Sequence, residues 1–156
     1  MHWELKEFEQ LTAIELHDIL KARVDIFVVE QSCAYHEVDG NDPASWHLQL
    51  KIDGKLAAYA RLMEAGTKYE KASIGRVIVL EEFRNRQLGR KLVQKSIDIM
   101  KGQWGTKEIM LQGQTYLRNF YASFGFKETS EEYLEDDIPH VDMLLTLDQT
   151  EKSESK

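Results

Sequence analysis

Three arginines crowd one short run of this 156-residue chain, Arg84-Asn85-Arg86-Gln87-Leu88-Gly89-Arg90, just where a helical pattern begins. A helix starting there turns its unpaired N–H groups and positive dipole end toward the run, and Gly89 lets the backbone approach a ligand closely. The chemistry on offer is anion binding, of phosphate above all. A solvated basic helix start has the same composition, since one glycine is a weak signal. Proton-transfer candidates lie elsewhere. Tyr121 precedes Gly125 in a short helical segment, where its hydroxyl can donate a proton or be satisfied within a core. His47 and His140 follow Trp46 and Pro139 at strand starts, and each can be a base or a structural hydrogen-bonding group. Glu30, Glu37 and a relayed water complete the candidate bases.

Other residue types carry less. His36, Glu37, Asp39, Asp42 and His47 are all metal-ligand types, but their spacing matches no ligand set and Asp39-Gly40-Asn41-Asp42 reads as turn chemistry. No metal is expected. Neither the GxxxxGK[ST] phosphate loop nor the HExxH zinc motif occurs. Cys33, the lone cysteine, has no activating pattern around it and reads as structural.

The elements that must position these groups follow from periodicity and turn residues. A strand over Trp3–Phe8 precedes Thr12-Ala13-Ile14-Glu15, which has the form of a helix capping box. A helix is predicted over Ile14–Phe27, burying a stripe of Ile14, Leu16, Ile19, Leu20 and Phe27. Residues 30–45 form a polar loop. Strands over Trp46–Ile52 and Leu56–Met63 flank Asp53-Gly54, a strong hairpin signal. Ser73–Leu80, apolar on both faces near its end, predicts a central strand. A helix over Leu88–Lys101, a strand over Glu108–Leu111, a short helix over Leu117–Phe124 and a last strand over His140–Leu147 complete the order. That order argues an α/β (α+β) architecture with a mixed sheet and helices on both faces. One domain is expected over 1–148, with a disordered charged tail at 149–156.

Composition excludes several classes of function. Twenty basic against twenty-seven acidic residues give a net charge of −7, which repels nucleic acid and anionic membranes. With one cysteine and no leader or long apolar run, a cytoplasmic protein is expected.

Val77-Ile78-Val79, followed by Arg84-x-x-Gln87-x-Gly89, resembles the acetyl-CoA motif of the GNAT N-acetyltransferases, Q/R-x-x-G-x-G/A, with Gln87 where the first glycine is usual. Asn119 to Phe126 resembles that superfamily's short helix ending in Tyr-x-x-x-Gly-Phe. Phe27-Val28-Val29-Glu30-Gln31, Gly75-Arg76-Val77-Ile78-Val79 and Ile138-Pro139-His140 are together similar to its ElaA-like branch, and the likeness spans nearly the whole chain up to Leu147. The resemblance implies a single-domain GNAT fold, with a mostly antiparallel sheet of about six to seven strands. It implies a V-shaped opening in which the pantetheine arm of acetyl-CoA pairs with the backbone of Val77 to Val79, the pyrophosphate lying on Arg86 to Arg90. Gln114 stands nearest the family's usual cofactor-contacting asparagine. Tyr121 matches the proton donor. The implied activity is acetyl transfer to a primary amine of a small molecule or peptide. The negative net charge suits a cationic acceptor such as a polyamine. A catalytically silent acyl-CoA sensor is the alternative, and a homodimer is compatible with the sequence.

Overall fold

The capping box forms: the Glu15 amide donates to the Thr12 hydroxyl at 3.0 Å and the Thr12 amide to the Glu15 carboxylate at 2.9 Å. Helix α1 (Ala13–Arg23) starts there in the computed structural model, which describes residues 1–147. The expected tail at 149–156 lies outside the described residues. α1 does not continue to Phe27 as an α-helix. It passes into a π-helical segment, Val24–Glu30, a form that concentrates at functional sites. Nor is its inner face the apolar stripe expected. Glu15, Ile19, Ala22 and Arg23 are buried, while Ile14 is 69 % exposed. The charged pair can turn inward because each finds partners: Lys6 and Lys51 for Glu15, Glu37 and Asp42 for Arg23.

The strands are β1 (His2–Glu7), β2 (Trp46–Ile52), β3 (Lys55–Met63), β4 (Ala72–Val79), β5 (Glu108–Gln114), β6 (Lys127–Glu128), β7 (Tyr133–Glu135) and β8 (Ile138–Thr146). They form one sheet in the order β1-β2-β3-β4-β5-β8-β6, with β7 also paired to β8. Among the described residues only β4 and β5 pair in parallel. The hairpin at Asp53-Gly54 has φ of +52° and +76°, the left-handed pair that a primed turn requires. β6 and β7 escaped the sequence patterns because they are very short and rich in acidic residues, which strands disfavour.

Helix α2 (Leu88–Gly102) buries Leu88, Leu92, Val93, Ile97 and Met100 on one face of the sheet, with α3 (Arg118–Ala122) beside it. α1 covers the other face through Ile19, Ala22, Tyr59 and Ile78. A bulge in β4 decides which β4 residues face which layer. Pairing with β3 slips between Tyr59↔Ile78 and Arg61↔Gly75, and Arg76 takes φ +53°. Before the bulge Ile74 faces the α2 layer; beyond it Val77 and Val79 do, and Ile78 faces α1. Strict alternation would have put Ile78 on the side of Ile74.

Candidate functional site

β4 and β5 pair only at Ala72↔Ile109 and Ser73↔Met110, then part. On the β3 side, Leu80 donates its N–H to the Ala57 carbonyl at 2.9 Å. Backbone groups alternate along a strand, so Ile78 also faces β3, and the N–H groups of Val77 and Val79 turn toward the gap. The gap opens into a cleft of about 440 Å³ bordered by Ile26, Phe27 and Glu30 of the π-helical segment, Gly75 to Val79, Arg84, Gln112 to Gln114, Tyr121 and His140. Of the residues singled out from sequence, the fold therefore brings together Val77, Ile78, Val79, Arg84, Gln114, Tyr121 and His140.

Asn85, Arg86, Gln87, Leu88, Gly89 and Arg90 make the turn that follows β4. Asn85 and Gln87 hold left-handed φ of +68° and +61°. Gln87, standing in place of a glycine, keeps the backbone a glycine would give at a cost of about 1 kcal/mol. It is the N-cap of α2, and no side chain caps that helix. The result is a concavity of free amides suited to an anion. A Cβ built on Gly89 would lie 3.9 Å from both Val79 and Phe120, which places this turn against the end of β4 and against α3. The arginines are used unequally. Arg86 lies over the Phe83 ring at 5.3 Å, and Arg90 stacks on Phe124 at 4.7 Å and donates to Ser123 at 2.8 Å. Arg84 is committed within the protein: Nε donates to the Val79 carbonyl at 3.1 Å, and both terminal nitrogens donate to Glu30 at 3.0 Å. The Arg84 guanidinium is thus occupied within the protein, and what the turn presents to an anion is its backbone with Arg86 and Arg90.

Tyr121 is 6 % exposed, and burial, with a smaller contribution from Tyr116, pushes its phenol upward, so it stays protonated. Its ring rests on Gly113, where a Cβ would come within 3.3 Å of the ring and 3.2 Å of Leu111. Gly113 is thus a position that sequence reading missed; the one signal for it was a glycine between Gln112 and Gln114 after an apolar strand start. His140 Nδ1 lies 2.7 Å from the Ile138 carbonyl. A carbonyl only accepts, so Nδ1 carries the hydrogen and Nε2 is the nitrogen left for proton exchange.

Two candidate bases are corrected. His47 does not border the cleft: it is fully buried, with Nδ1 2.6 Å from the Tyr59 hydroxyl and Nε2 2.9 Å from the Asp42 carbonyl. Both nitrogens are occupied and burial lowers its pKa, which makes it a neutral structural bridge. Glu37 is spent on Arg23 at 2.8 Å, Arg76 at 2.6 Å and the Tyr35 hydroxyl at 2.7 Å. Glu30 does border the cleft, with its carboxyl held low by Arg84.

Glu37 belongs to a network that sequence reading did not foresee. Arg23 also reaches Asp42 at 2.7 Å, and Arg61 pairs with Asp39 at 2.9 Å and Asp42 at 3.0 Å. These bonds pin the loop after Glu30 to α1, β3 and the β4 bulge. Further along, Gln114 donates to Gln31 at 3.2 Å, and Cys33 Sγ lies 3.2 Å from the Asp136 carbonyl. Among the described residues no group of three or more His, Cys, Asp or Glu is arranged to hold a metal ion, and no helix is long and apolar enough to cross a membrane.

The parting of β4 from β5 lies where the resemblance to GNAT acetyltransferases implies an opening. The sequence profile of the acetyltransferase (GNAT) domain matches residues 15–147, and the chain belongs to that family. It is 37 % identical over 145 residues to protein ElaA of Escherichia coli, covering 92 % of this chain and 95 % of ElaA. A UPF0039 protein of Schizosaccharomyces pombe is 44 % identical over 144 residues, 91 % of this chain and 95 % of that protein. The fold is that of E. coli ElaA, with a TM-score of 0.86 at 36 % identity over 93 % of this chain and 99 % of the other. An acyl-CoA N-acyltransferase from Pseudomonas aeruginosa superposes with a TM-score of 0.87, also at 36 % identity, over 94 % of this chain and 100 % of its own.

Proposed function

We propose that the protein transfers an acetyl group from acetyl-CoA to a primary amine of a small molecule or peptide, by direct attack with both substrates bound. One observation carries the reading: the edge of β4 left open toward β5 lies in the same cleft as Tyr121, and Gly89 at the uncapped start of α2 sits against Val79 at the end of that edge. The edge of β4 offers the pantetheine arm a ladder of hydrogen bonds at Val77 and Val79. The amides of Arg86 to Arg90 hold the pyrophosphate. Because Arg84 already occupies the Val79 carbonyl, that residue presents its N–H alone, the group needed to polarise a thioester oxygen. His140 Nε2 takes the proton of the ammonium, directly or through water, and frees the nitrogen lone pair. The amine nitrogen bonds to the thioester carbon, the C–S bond breaks, Tyr121 gives its proton to the departing thiolate, and the second proton, shed by the nitrogen as it becomes an amide, returns to the Tyr121 oxygen through water.

Acetyl-CoA binds only the folded chain on this reading, so a hundredfold excess over Kd raises stability by about 2.7 kcal/mol. The decisive measurement is thiol release from acetyl-CoA against a panel of amines, with thermal melting in parallel. No melting shift at millimolar acetyl-CoA sinks the cofactor assignment. A shift with no thiol released under any amine favours the silent sensor.

Gly89→Val separates binding from folding. The Cβ has room, so the fold is expected to survive, while the branched methyls stand where a pyrophosphate approaches the α2 amides. The expected result is a loss of acetyl-CoA affinity of about tenfold or more with little change in melting temperature. Unchanged affinity in the folded variant would place the phosphates elsewhere.

A further inference from the structure

Four cations and three carboxylates meet where α1, β3, β4 and the loop after Glu30 come together: Arg23, Arg61, Arg76 and Lys68 with Glu37, Asp39 and Asp42. Asp39 is shared by Arg61 at 2.9 Å, Arg76 at 3.3 Å and Lys68 at 3.9 Å. The set retains one positive charge in a chain whose net charge is −7. Buried Arg23 and Arg61 are matched by buried Glu37 and Asp42, so the excess falls on the partly exposed Arg76 and Lys68, where an anion from outside can answer it. Arg61, Arg76 and Lys68 all border the cleft. Of the carboxylates that also border it, Glu30 is held by Arg84, and Glu135 makes no ion pair with these cations among the described residues.

A second observation concerns unmet hydrogen bonds. Arg61 is 1 % exposed, yet its Nε has no hydrogen-bond partner. It stands directly opposite Gly75 in the β3–β4 register, so both belong to one face of the sheet. A Cβ at Gly75 would meet nothing within 4 Å, which leaves open space beside Arg61. Ser73, two residues before Gly75 and on the same face, has a buried hydroxyl that also lacks a partner. Buried donors are rarely left unpaired. An occupant with negatively charged acceptor oxygens supplies what both the excess charge and the orphaned donors lack.

We infer that the acceptor end of the cleft is built for an amine that also carries a carboxylate, seated over Gly75 against Arg61, Arg76 and Lys68. The amine half of this statement rests on the acetyl-transfer reading; the anion half does not. It replaces the cationic acceptor that net charge suggested. Net charge sums over the whole chain, whereas Arg61, Arg76 and Lys68 make this end of the cleft locally positive.

The test uses the full chain and matched ligands. β-Alanine and γ-aminobutyrate are compared with their amides and with the corresponding diamines, by thiol release from acetyl-CoA. The N-acetylated acids and amides are compared in binding by calorimetry. Carboxylates are expected to exceed amides by about tenfold in kcat/KM and in affinity, the scale of one charge-assisted contact. Lys68 is a third exposed, so Lys68→Met should fold, and there the preference is expected to shrink to a few-fold, with its salt dependence. Equal handling of acids and amides overturns the inference, as does a preference untouched in Lys68→Met. Selective binding of the acetylated acids with no thiol release from any amine upholds the anion site and sinks the acetyl-transfer reading instead.

Discussion

Tyr121→Phe is expected to lower kcat by about 10²–10⁴-fold while leaving KM for acetyl-CoA nearly unchanged, the scale of general acid catalysis. The substitution removes one oxygen. The ring keeps its edge contacts with Phe120 at 5.2 Å and Phe126 at 6.1 Å, and its seat on Gly113. Stability should therefore move little. The loss belongs to collapse of the tetrahedral adduct, where the thiolate leaves unprotonated if no acid stands near it. Burial keeps the Tyr121 phenol protonated well above neutral pH, so the proton is present when the C–S bond breaks. Steady-state kinetics under conditions where chemistry limits the rate give the answer. A Phe variant that turns over nearly as fast as the parent would leave Tyr121 a packing residue and the donor unidentified.

Arg23→Met is expected to cost about 3–5 kcal/mol of stability, the penalty for leaving buried carboxylates without their cation. Arg23 is wholly buried, and its bonds to Glu37 and Asp42 are 2.8 and 2.7 Å long. In a chain of this size that loss lowers the melting temperature by roughly 10 °C. The pH dependence gives a second check. Burial by itself would raise the Asp42 carboxyl, but hydrogen bonds and charge from Arg23, then Arg61, outweigh it and hold the group below its ordinary value. A carboxyl depressed in the folded state contributes stability above its unfolded pKa and loses it as pH falls through the folded value. Without Arg23 that depression shrinks, so the parent should lose stability in acid faster than the variant. The gap between them narrows below about pH 4. Melting curves across that range check both claims; a small, pH-independent gap would mean the carboxylates find other partners.

Local signals carried far in this chain. The capping box at Thr12, the Asp53-Gly54 hairpin, the doubly apolar end of β4 and the amphipathic α2 each follow from short-range chemistry, and each formed. Tyr121, Val77 to Val79 and Gln114 reach one cleft because the family pattern fixes their order along the chain. What escaped depends on partners distant in sequence. Arg23 drew no notice in the sequence because Glu37 and Asp42 are fourteen and nineteen residues away, in a loop with no periodicity. His47 stayed open between base and structural group for the same reason: Tyr59, twelve residues on, claims one of its nitrogens. The left-handed Arg76 carries no residue signature at all, since such a backbone normally calls for glycine, and Gly75 stands one position too early.

That slip in β4 makes the spacing between Ile74 and Val77 a counted length. Substitutions at Gly75 or Arg76 alter a side chain, and deletion of one of them would only remove the bulge, but a residue inserted there would act like a frameshift on the rest of the strand. Val77 and Val79 would then trade layers with Ile78, and the edge now open toward β5 would present different backbone groups. In lineages descended from this chain, single-residue insertions at that point are therefore expected to be purged even where the amino acids themselves drift.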